Sequence, residues 1–189
     1  MGNQYCKNLW LLGVTLVLLA IPLESYGQKN QRKQTQIKAA FIFKMAKFVH
    51  WPFKHDQPIT FCAFNNTQKF NVFTVLDNIK SQGKLNIQNT QVTLHVLEGK
   101  YDDLAIYQNC SLVYFDKKIE SKIPSAVLKA LSMRKLIIGN TKAFVEKGGL
   151  SALVAERGKS KLYINRLTYQ QSKVKIRSRL MSLARMYPK

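Results

Sequence analysis

The chain has 189 residues, which suits one globular domain and leaves little room for a second. Its apolar fraction of 46% is that of a folded protein with a real core, not that of a disordered chain. Lys and Arg number 30 against 10 Asp and Glu, so the formal net charge is +20. So basic a chain favours an anionic partner, such as nucleic acid, phospholipid, acidic polysaccharide or an acidic protein face. Because the basic residues are spread along the whole chain, the charge informs on association and not on fold.

Residues 1–27 have the order of a secretory signal peptide. Lys7 precedes the apolar run Leu9–Ile21, and Ser25 and Gly27 place small residues where a signal peptidase reads. The run has roughly 13 residues, fewer than the ~20 that a membrane-spanning helix needs. We therefore expect export with cleavage after Gly27; an uncleaved membrane anchor is the alternative interpretation.

Residues 28–36 are polar and cationic and predict a short flexible arm. Residues 37–52 contain no Gly, and their apolar residues recur at helical spacing, which predicts a largely buried helix. Thr35 is the expected N-cap, and Pro52 is expected to end the helix. The apolar face that we predict for this helix consists of Ile37, Ala40, Phe41, Met45 and Phe48.

Short β-branched or apolar segments then alternate with helical patterns. The predicted strands are 58–64, 90–96, 110–115 and 135–139, and the predicted helices between them are 69–80 and 121–131. This β–α–β–α order predicts a mostly parallel sheet with helices on its faces.

The pattern changes after Gly148-Gly149. Segments 150–155 and 161–164, separated by the polar loop 156–160, predict a β-hairpin. Residues 174–187 carry an apolar stripe and predict a final amphipathic helix. The expected fold class is therefore α/β, with a mostly parallel central sheet flanked by helices, a C-terminal β-hairpin and an amphipathic helix. The expected organisation is a signal peptide (1–27), a basic arm (28–36) and a single domain (37–189).

Two cysteines remain after the predicted cleavage, Cys62 and Cys110, each in a predicted buried strand. An even pair in an oxidising compartment favours a disulfide. Two reduced, buried thiols that act as small apolar residues are the alternative.

Catalytic and metal-binding patterns do not emerge from the polar residues. His50, His55 and His95 lack metal-ligand spacing with Cys, Asp or Glu, and the few acidic residues form no recognisable acid/base pair. The chain also lacks a nucleophile elbow and a phosphate loop. We therefore predict a non-enzymatic protein without a metal or cofactor.

Basic and aromatic residues interleave in Lys161–Tyr169 and again in Arg185–Tyr187. On a cytosolic protein this pattern would suggest a nucleic-acid surface, but the export signal argues against that partner. An ordinary solvated basic face is the other interpretation.

A set of motifs follows in order along essentially the whole mature chain, about residues 36 to 187. They are Ile37–Phe41, Phe48–Pro52, Phe61-Cys62, Asn109–Val113, Gly148-Gly149, Ile164-Asn165, Ile176, Ser178, Leu180 and Leu183–Arg185. The more specific ones are the first helix ending in Trp-Pro and the Ser/Leu/Leu-Ala pattern near the C terminus. Together these motifs resemble those of the YfiR family of periplasmic proteins.

The resemblance implies a periplasmic, non-enzymatic regulator. The best-understood members of the family bind the periplasmic sensor domain of an inner-membrane diguanylate cyclase and hold it inactive, which keeps cyclic di-GMP low and restrains biofilm formation. It also implies a homodimer, disulfides that keep the repressor folded, and a family disulfide where Cys62 and Cys110 fall. A sensor kinase is the other kind of membrane partner that the family accompanies.

Two main hypotheses follow. The first is a regulator that acts by population shift on a membrane-bound signalling enzyme, through a surface with an apolar centre and a basic rim. The second is a cationic envelope protein that binds an anionic polymer or lipid surface. A small ligand in the cleft at the strand carboxyl ends is a third. The residues that we assign to partner binding are Trp51, Asn165, Arg166 and Arg185; Trp51 could equally cap the core where the first helix ends.

Overall fold

The computed structural model describes residues 24–51, 58–64 and 71–188. For residues 24–27 it describes the backbone alone. The chain divides into two units, residues 1–34 and 35–189. In the first unit the described stretch, residues 24–34, is helical. The predicted signal peptide therefore lies outside the described residues, apart from its last four. In the described part of the chain no helix combines the length and the hydropathy needed to cross a bilayer.

The first helix, α1, runs from Glu24 to Lys47 and differs from expectation in two ways. Residues 28–36, predicted to be a flexible arm, are helical, so the predicted N-cap at Thr35 is wrong. Gln, Lys and Arg are good helix formers, which explains how a polar stretch continues the helix. The predicted face is also rotated, since the buried residues of α1 are Ala39, Ile42, Met45 and Ala46, and Val49, two positions after the helix, is buried as well. Of the predicted face only Met45 is buried.

The remaining elements follow the predicted alternation as far as β6. The strands are β1 (Val49–His50), β2 (Ile59–Phe64), β3 (Asn86–Ile87), β4 (Thr90–Leu97), β5 (Leu112–Tyr114) and β6 (Leu136–Gly139). The helices are α2 (Val72–Ser81), a 3-10 helix (Leu104–Tyr107), α3 (Lys117–Glu120) and α4 (Ser125–Ser132). Asn71 caps α2, since its side chain accepts the backbone N–H of Thr74 while the Thr74 hydroxyl accepts that of Asn71.

After β6 the chain forms α5 (Lys142–Glu146), β7 (Ser151–Glu156), β8 (Lys159–Asn165), α6 (Arg166–Gln171), β9 (Lys175–Ile176), α7 (Ser178–Met181) and β10 (Arg185–Tyr187). The predicted hairpin is β7–β8, joined by a turn shorter than expected. Arg157 and Gly158 both have positive φ, 46° and 75°, as a two-residue hairpin turn requires.

One eight-stranded sheet forms the centre of the fold, in the order β10-β8-β7-β6-β5-β2-β4-β3. Parallel pairing joins β4, β2, β5, β6 and β7, and also β8 to β10, whereas β7–β8 and β3–β4 are antiparallel. Helices α2, α4, α5 and α6 pack against this sheet or one another. The predicted α/β class, with a mostly parallel central sheet flanked by helices and a C-terminal hairpin, is confirmed.

The predicted amphipathic helix over residues 174–187 is wrong. Val174 and Ile176 are buried while Lys175 and Arg177 are exposed, which is the two-residue period of a strand. β9 pairs with β1, Val49 opposite Ile176, and β10 adds to β8 in parallel. Only α7 is helical in this region. Strand pairing with distant partners therefore overrides a local pattern that also fits a helix.

Candidate functional site

A concave, strongly basic surface lies at the turn end of the β7–β8 hairpin. The surface encloses about 720 Å³. We call it the basic groove; its lining residues are Lys142, Glu156, Arg157, Lys159, Lys161 and Arg185. Five cations thus surround one carboxylate.

Three parts of the fold bring these side chains together. The hairpin register places Glu156, the last residue of β7, opposite Lys159, the first of β8. Parallel pairing of β10 with β8 places Arg185 opposite Tyr163. Lys142 is the first residue of α5, directly after its N-cap Thr141. The groove therefore depends on pairings between segments far apart in sequence.

Glu156 holds the centre of the groove through three partners. Its Oε1 accepts the Tyr163 hydroxyl proton at 2.6 Å and pairs with Lys142 Nζ at 2.9 Å, and its Oε2 accepts from Arg185 Nη1 at 2.7 Å. Arg185 Nη1 also donates to the Tyr163 hydroxyl oxygen, at 3.0 Å. The Glu156 side chain is 22% exposed, whereas those of Lys142 and Arg185 are 50% and 52% exposed. Lys142 and Arg185 thus pair with Glu156 and still expose about half of their side-chain surface to solvent.

The charges and hydrogen bonds in this cluster reinforce its ionised state. The hydrogen bond from Tyr163, then that from Lys142, lowers the pKa of Glu156 to about 2. The hydrogen bond to Glu156 raises the pKa of Lys142, and the contact with Tyr163 raises that of Arg185. Glu156 therefore stays ionised, and Lys142 and Arg185 stay protonated, over the physiological pH range.

The groove keeps excess positive charge that its own carboxylate does not balance. In the described part of the chain the ion pairs are those of Glu156 with Lys142 and Arg185, so Arg157, Lys159 and Lys161 have no carboxylate within 4.0 Å. Charge-assisted hydrogen bonds from Arg and Lys suit carboxylate, phosphate or sulfate groups. The arrangement can therefore bind anions.

A strip of aromatic and apolar surface borders the groove. Tyr163, Met186 and Tyr187 line this adjoining space together with Lys142 and Arg185. Lys142 Nζ and the Arg185 guanidinium carbon lie 5.2 and 5.8 Å from the Tyr163 ring centroid. Basic and apolar areas thus lie side by side, and protein-binding surfaces combine both.

The structure distributes the four residues assigned to partner binding over different environments. Arg185 lies in the basic groove, whereas Arg166 is exposed on α6 and is not one of the residues that line the groove. Asn165 is 7% exposed; its Oδ1 caps α6 by accepting from Thr168 N at 2.9 Å, and its Nδ2 donates to Val145 O at 2.7 Å. Both ends of the Asn165 amide are thus bonded within the chain, so we leave Asn165 out of the contact surface.

Trp51 is half-buried and directly follows β1. Its indole N–H donates to Ala46 O at 2.8 Å, and its ring packs against the core. That geometry suits the capping role, and the partner-anchor role stays a prediction for the exposed part of the side chain.

Cys62 and Cys110 form a disulfide that ties β2 to the segment before β5. Their Cα atoms are 5.8 Å apart, and the two residues are 0% and 4% exposed. Lys135 Nζ donates a hydrogen bond to Cys110 O at 2.7 Å. The bridge therefore belongs to the core of the sheet.

Part of the groove was detectable in the sequence, since the basic-aromatic runs that we noted contain Lys161, Tyr163 and Arg185. Lys142 and Glu156 were missed because only the folded sheet brings them to Tyr163. Among the described residues no group of His, Cys, Asp and Glu side chains is arranged to hold a metal ion.

Two solved structures share the fold at 13% sequence identity. A conserved domain protein from Vibrio cholerae O1 biovar El Tor matches with a TM-score of 0.52 over 80% of this chain. The ABC domain in complex with L-Trp from Streptococcus pneumonia matches with a TM-score of 0.52 over 76%. The chain spans 59% and 58% of the lengths of those two proteins. A comparison with curated proteins finds no match.

The chain also matches a protein family over a range that includes the second half of the first helix and the basic groove. The model of the YfiR/HmsC-like family matches residues 35–185, which is most of the chain. This range includes the disulfide, the β7–β8 hairpin and Arg185. The chain therefore belongs to the YfiR/HmsC-like family, whose members are periplasmic regulatory proteins and not enzymes.

Proposed function

We propose that this protein is exported to the periplasm and represses a membrane-bound diguanylate cyclase by binding the periplasmic sensor domain of that enzyme. Membership of the YfiR/HmsC-like family over residues 35–185 is the observation that carries this proposal. A sensor kinase with a periplasmic domain is the other membrane partner that this membership allows.

The basic groove is the proposed contact surface. Among the described residues no carboxylate lies within 4.0 Å of three of its cations, Arg157, Lys159 and Lys161, so they can pair with an acidic face of the receptor. The half-buried side chains of Met186 and Tyr187 offer aromatic and apolar area beside them. Long-range attraction would speed the encounter, and the apolar strip would slow dissociation. Exposed Arg166 and half-buried Trp51 are proposed as further contacts outside the groove.

Repression would work by a population shift. A regulator that binds the inactive conformation of the sensor domain more tightly than the active one lowers output by its difference in affinity. No chemistry by the regulator is required, which agrees with a groove built from Lys, Arg and one ionised Glu.

The proposal is tested by in-cell crosslinking of the tagged protein, followed by mass spectrometry of the membrane proteins that are recovered. We expect a diguanylate cyclase or a sensor kinase, lost when its periplasmic domain is exchanged. Deleting the regulator should raise cyclic di-GMP. Recovery of envelope polymer without any signalling protein would contradict the proposal.

A charge-matched pair of variants tests the groove itself. The double change Arg157→Glu and Lys159→Glu should abolish recovery of the receptor. The control, Lys118→Glu with Lys122→Glu, makes the same change in net charge at exposed positions of another surface and should leave recovery intact. Equal loss in both would mean that overall charge, and not the groove, drives binding.

An anionic envelope polymer or lipid surface is the second candidate ligand. The ratio of five cations to one carboxylate in the groove favours it, together with the net charge of +20. Polymer binding through charge alone should collapse at moderate salt, whereas a receptor interface with an apolar centre should weaken only in part.

A further inference from the structure

In the described part of the chain, most of the outer side of β4 is a sheet edge that no other strand covers. β2 covers one side of β4 from Val92 to Leu97, but β3 covers the other side only at Thr90 and Gln91. One further hydrogen bond, from Val92 N to Leu85 O at 3.0 Å, is the last contact of this kind on the outer side of β4 among the described residues. Because backbone groups of alternate residues point to the same side of a strand, those of Leu94 and Val96 point outward like those of Val92.

The described residues supply no partner to this edge. In the ranges 24–51, 58–64 and 71–188 no hydrogen bond is made to the outward N–H groups of Leu94 and Val96. Val96 is 47% exposed, and Leu94 is half-buried. The edge therefore presents free donors and acceptors beside apolar side chains.

The composition of β4 is that of an interior strand. Residues 85–97 contain no Lys, Arg, Asp, Glu or Pro, although the chain as a whole carries 30 basic and 10 acidic residues. Proteins usually protect a free edge with Lys, Pro or a very short strand. The opposite edge follows that rule, since β10 has three residues, begins with Arg185 and is followed by Pro188. β4 lacks such protection, which indicates that something pairs with it.

We propose that a second copy of this chain pairs with β4 in antiparallel orientation, so that the two sheets become one. A two-fold axis beside His95 would place Leu94 of each copy opposite Val96 of the other. Each such pair exchanges two N–H···O bonds, so the edge-to-edge contact would contain roughly four. β3 occupies the edge beyond Val92 and thereby limits the register.

The charges at the two ends of the uncharged run favour a second copy in this orientation. The first charged residue before the run is Lys84, and the first after it is Glu98, followed by Asp102 and Asp103. Antiparallel pairing brings the Lys84 end of one copy toward the Glu98 end of the other. Parallel pairing would bring like charges together. A neutral strand with oppositely charged ends is thus complementary to itself, as a two-fold interface requires.

A backbone variant tests the pairing directly. Val96→Pro removes the outward N–H, and it leaves the bonds between β4 and β2 in place because those use the alternate residues. The control, Val96→Thr, keeps the N–H and the β-branched shape. The measurement is sedimentation velocity of the protein purified after export. Because a small interface is weak, the protein concentration should reach about 300 µM. Under these conditions wild type and Val96→Thr should dimerise. Val96→Pro should weaken dimerisation roughly 10- to 100-fold.

A charge exchange provides a second test that does not depend on proline. Lys84→Glu alone and Glu98→Lys alone place like charges at the junction and should each weaken the dimer, whereas the double variant should restore it. A wild type that stays monomeric over the whole range would overturn the proposal. So would a dimer that is unaffected by Val96→Pro and by both single charge changes.

Discussion

Tyr163 on β8 donates its hydroxyl proton to Glu156 on β7 over 2.6 Å, across the two strands of the hairpin. This hydrogen bond holds the Glu156 carboxylate in one position, where it forms ion pairs with Lys142 of α5 and Arg185 of β10. The two hairpin strands, α5 and β10 are thereby held at one point. The same contacts orient the cations that border the open part of the groove.

The Glu156 cluster should make stability depend on pH in the acid range. The pKa of Glu156 is lower in the folded protein, about 2, than its ordinary value of 4.5. A carboxylate with a lowered folded pKa contributes stability that is complete above a pH of about 5 and is lost as the pH falls toward 2. Urea midpoints of wild type and Glu156→Gln should therefore differ more at pH 6 than at pH 3.

Tyr163→Phe provides the matching test, because it removes the largest cause of the pKa shift and keeps the ring. Its deficit relative to wild type should likewise shrink as the pH falls. A deficit that stays constant from pH 3 to pH 6 in both variants would mean that packing, and not ionisation of Glu156, accounts for the loss.

The disulfide should act as a structural cross-link. Its cysteines are 48 positions apart, for which the loop-entropy estimate is roughly 4 kcal/mol of unfolding free energy. We expect Cys62→Ala with Cys110→Ala to lower stability by about that amount in urea denaturation. Because both residues are buried, a reductant should cleave the bridge in the wild type only as the protein unfolds. Rapid thiol exposure under native conditions would contradict this and favour a switch.

Asn165 and Arg166 are neighbours with different expected roles. Asn165→Ala removes the α6 cap and leaves Val145 O without its donor, so we expect a loss of about 1–3 kcal/mol of unfolding free energy. Arg166→Ala should leave stability within about 0.5 kcal/mol, because the residue is exposed. Receptor recovery, measured in parallel, should fall for Arg166→Ala if this side chain is a contact; unchanged recovery would remove it from the proposed interface.

Sequence reasoning succeeded where a local pattern and the global fold agree. The strand at residues 59–64 and the helix at 72–81 have apolar periods and end signals that one structure satisfies, and both form. The buried cysteine pair followed from parity and compartment. Each of these features depends on residues close together in the chain or on simple counting.

Sequence reasoning failed where distant pairing decides. Residues 174–176 fit a helical stripe, yet Val49 pairs with Ile176 and converts the segment to a strand. The face of α1 was misassigned because that helix is apolar nearly all round, so spacing alone does not determine which side meets the sheet. The groove was found only in part, since Lys142 and Glu156 meet through contacts across elements.

The Gly148-Gly149 step before the hairpin has a packing cause. A Cβ on Gly149 would lie 2.2 Å from Phe144 Cε1 and 2.8 Å from Phe144 O. Phe144 is 2% exposed and stacks near Phe115, with ring centroids 5.7 Å apart, so its ring has little room to move. We expect Gly149→Ala to lower the unfolding free energy by about 3 kcal/mol, at the upper end of typical overpacking costs.

Phe144, the residue that a side chain at position 149 would overlap, can be changed separately. Phe144→Leu alone should destabilise by about 1 kcal/mol, since the site keeps most of its apolar volume. Added to Gly149→Ala it should relieve part of the overlap, so the double variant should lose less than the sum of the single losses. Urea denaturation of the four proteins measures this coupling. Strict additivity would show that the backbone carbonyl of Phe144, and not its ring, excludes a side chain at Gly149.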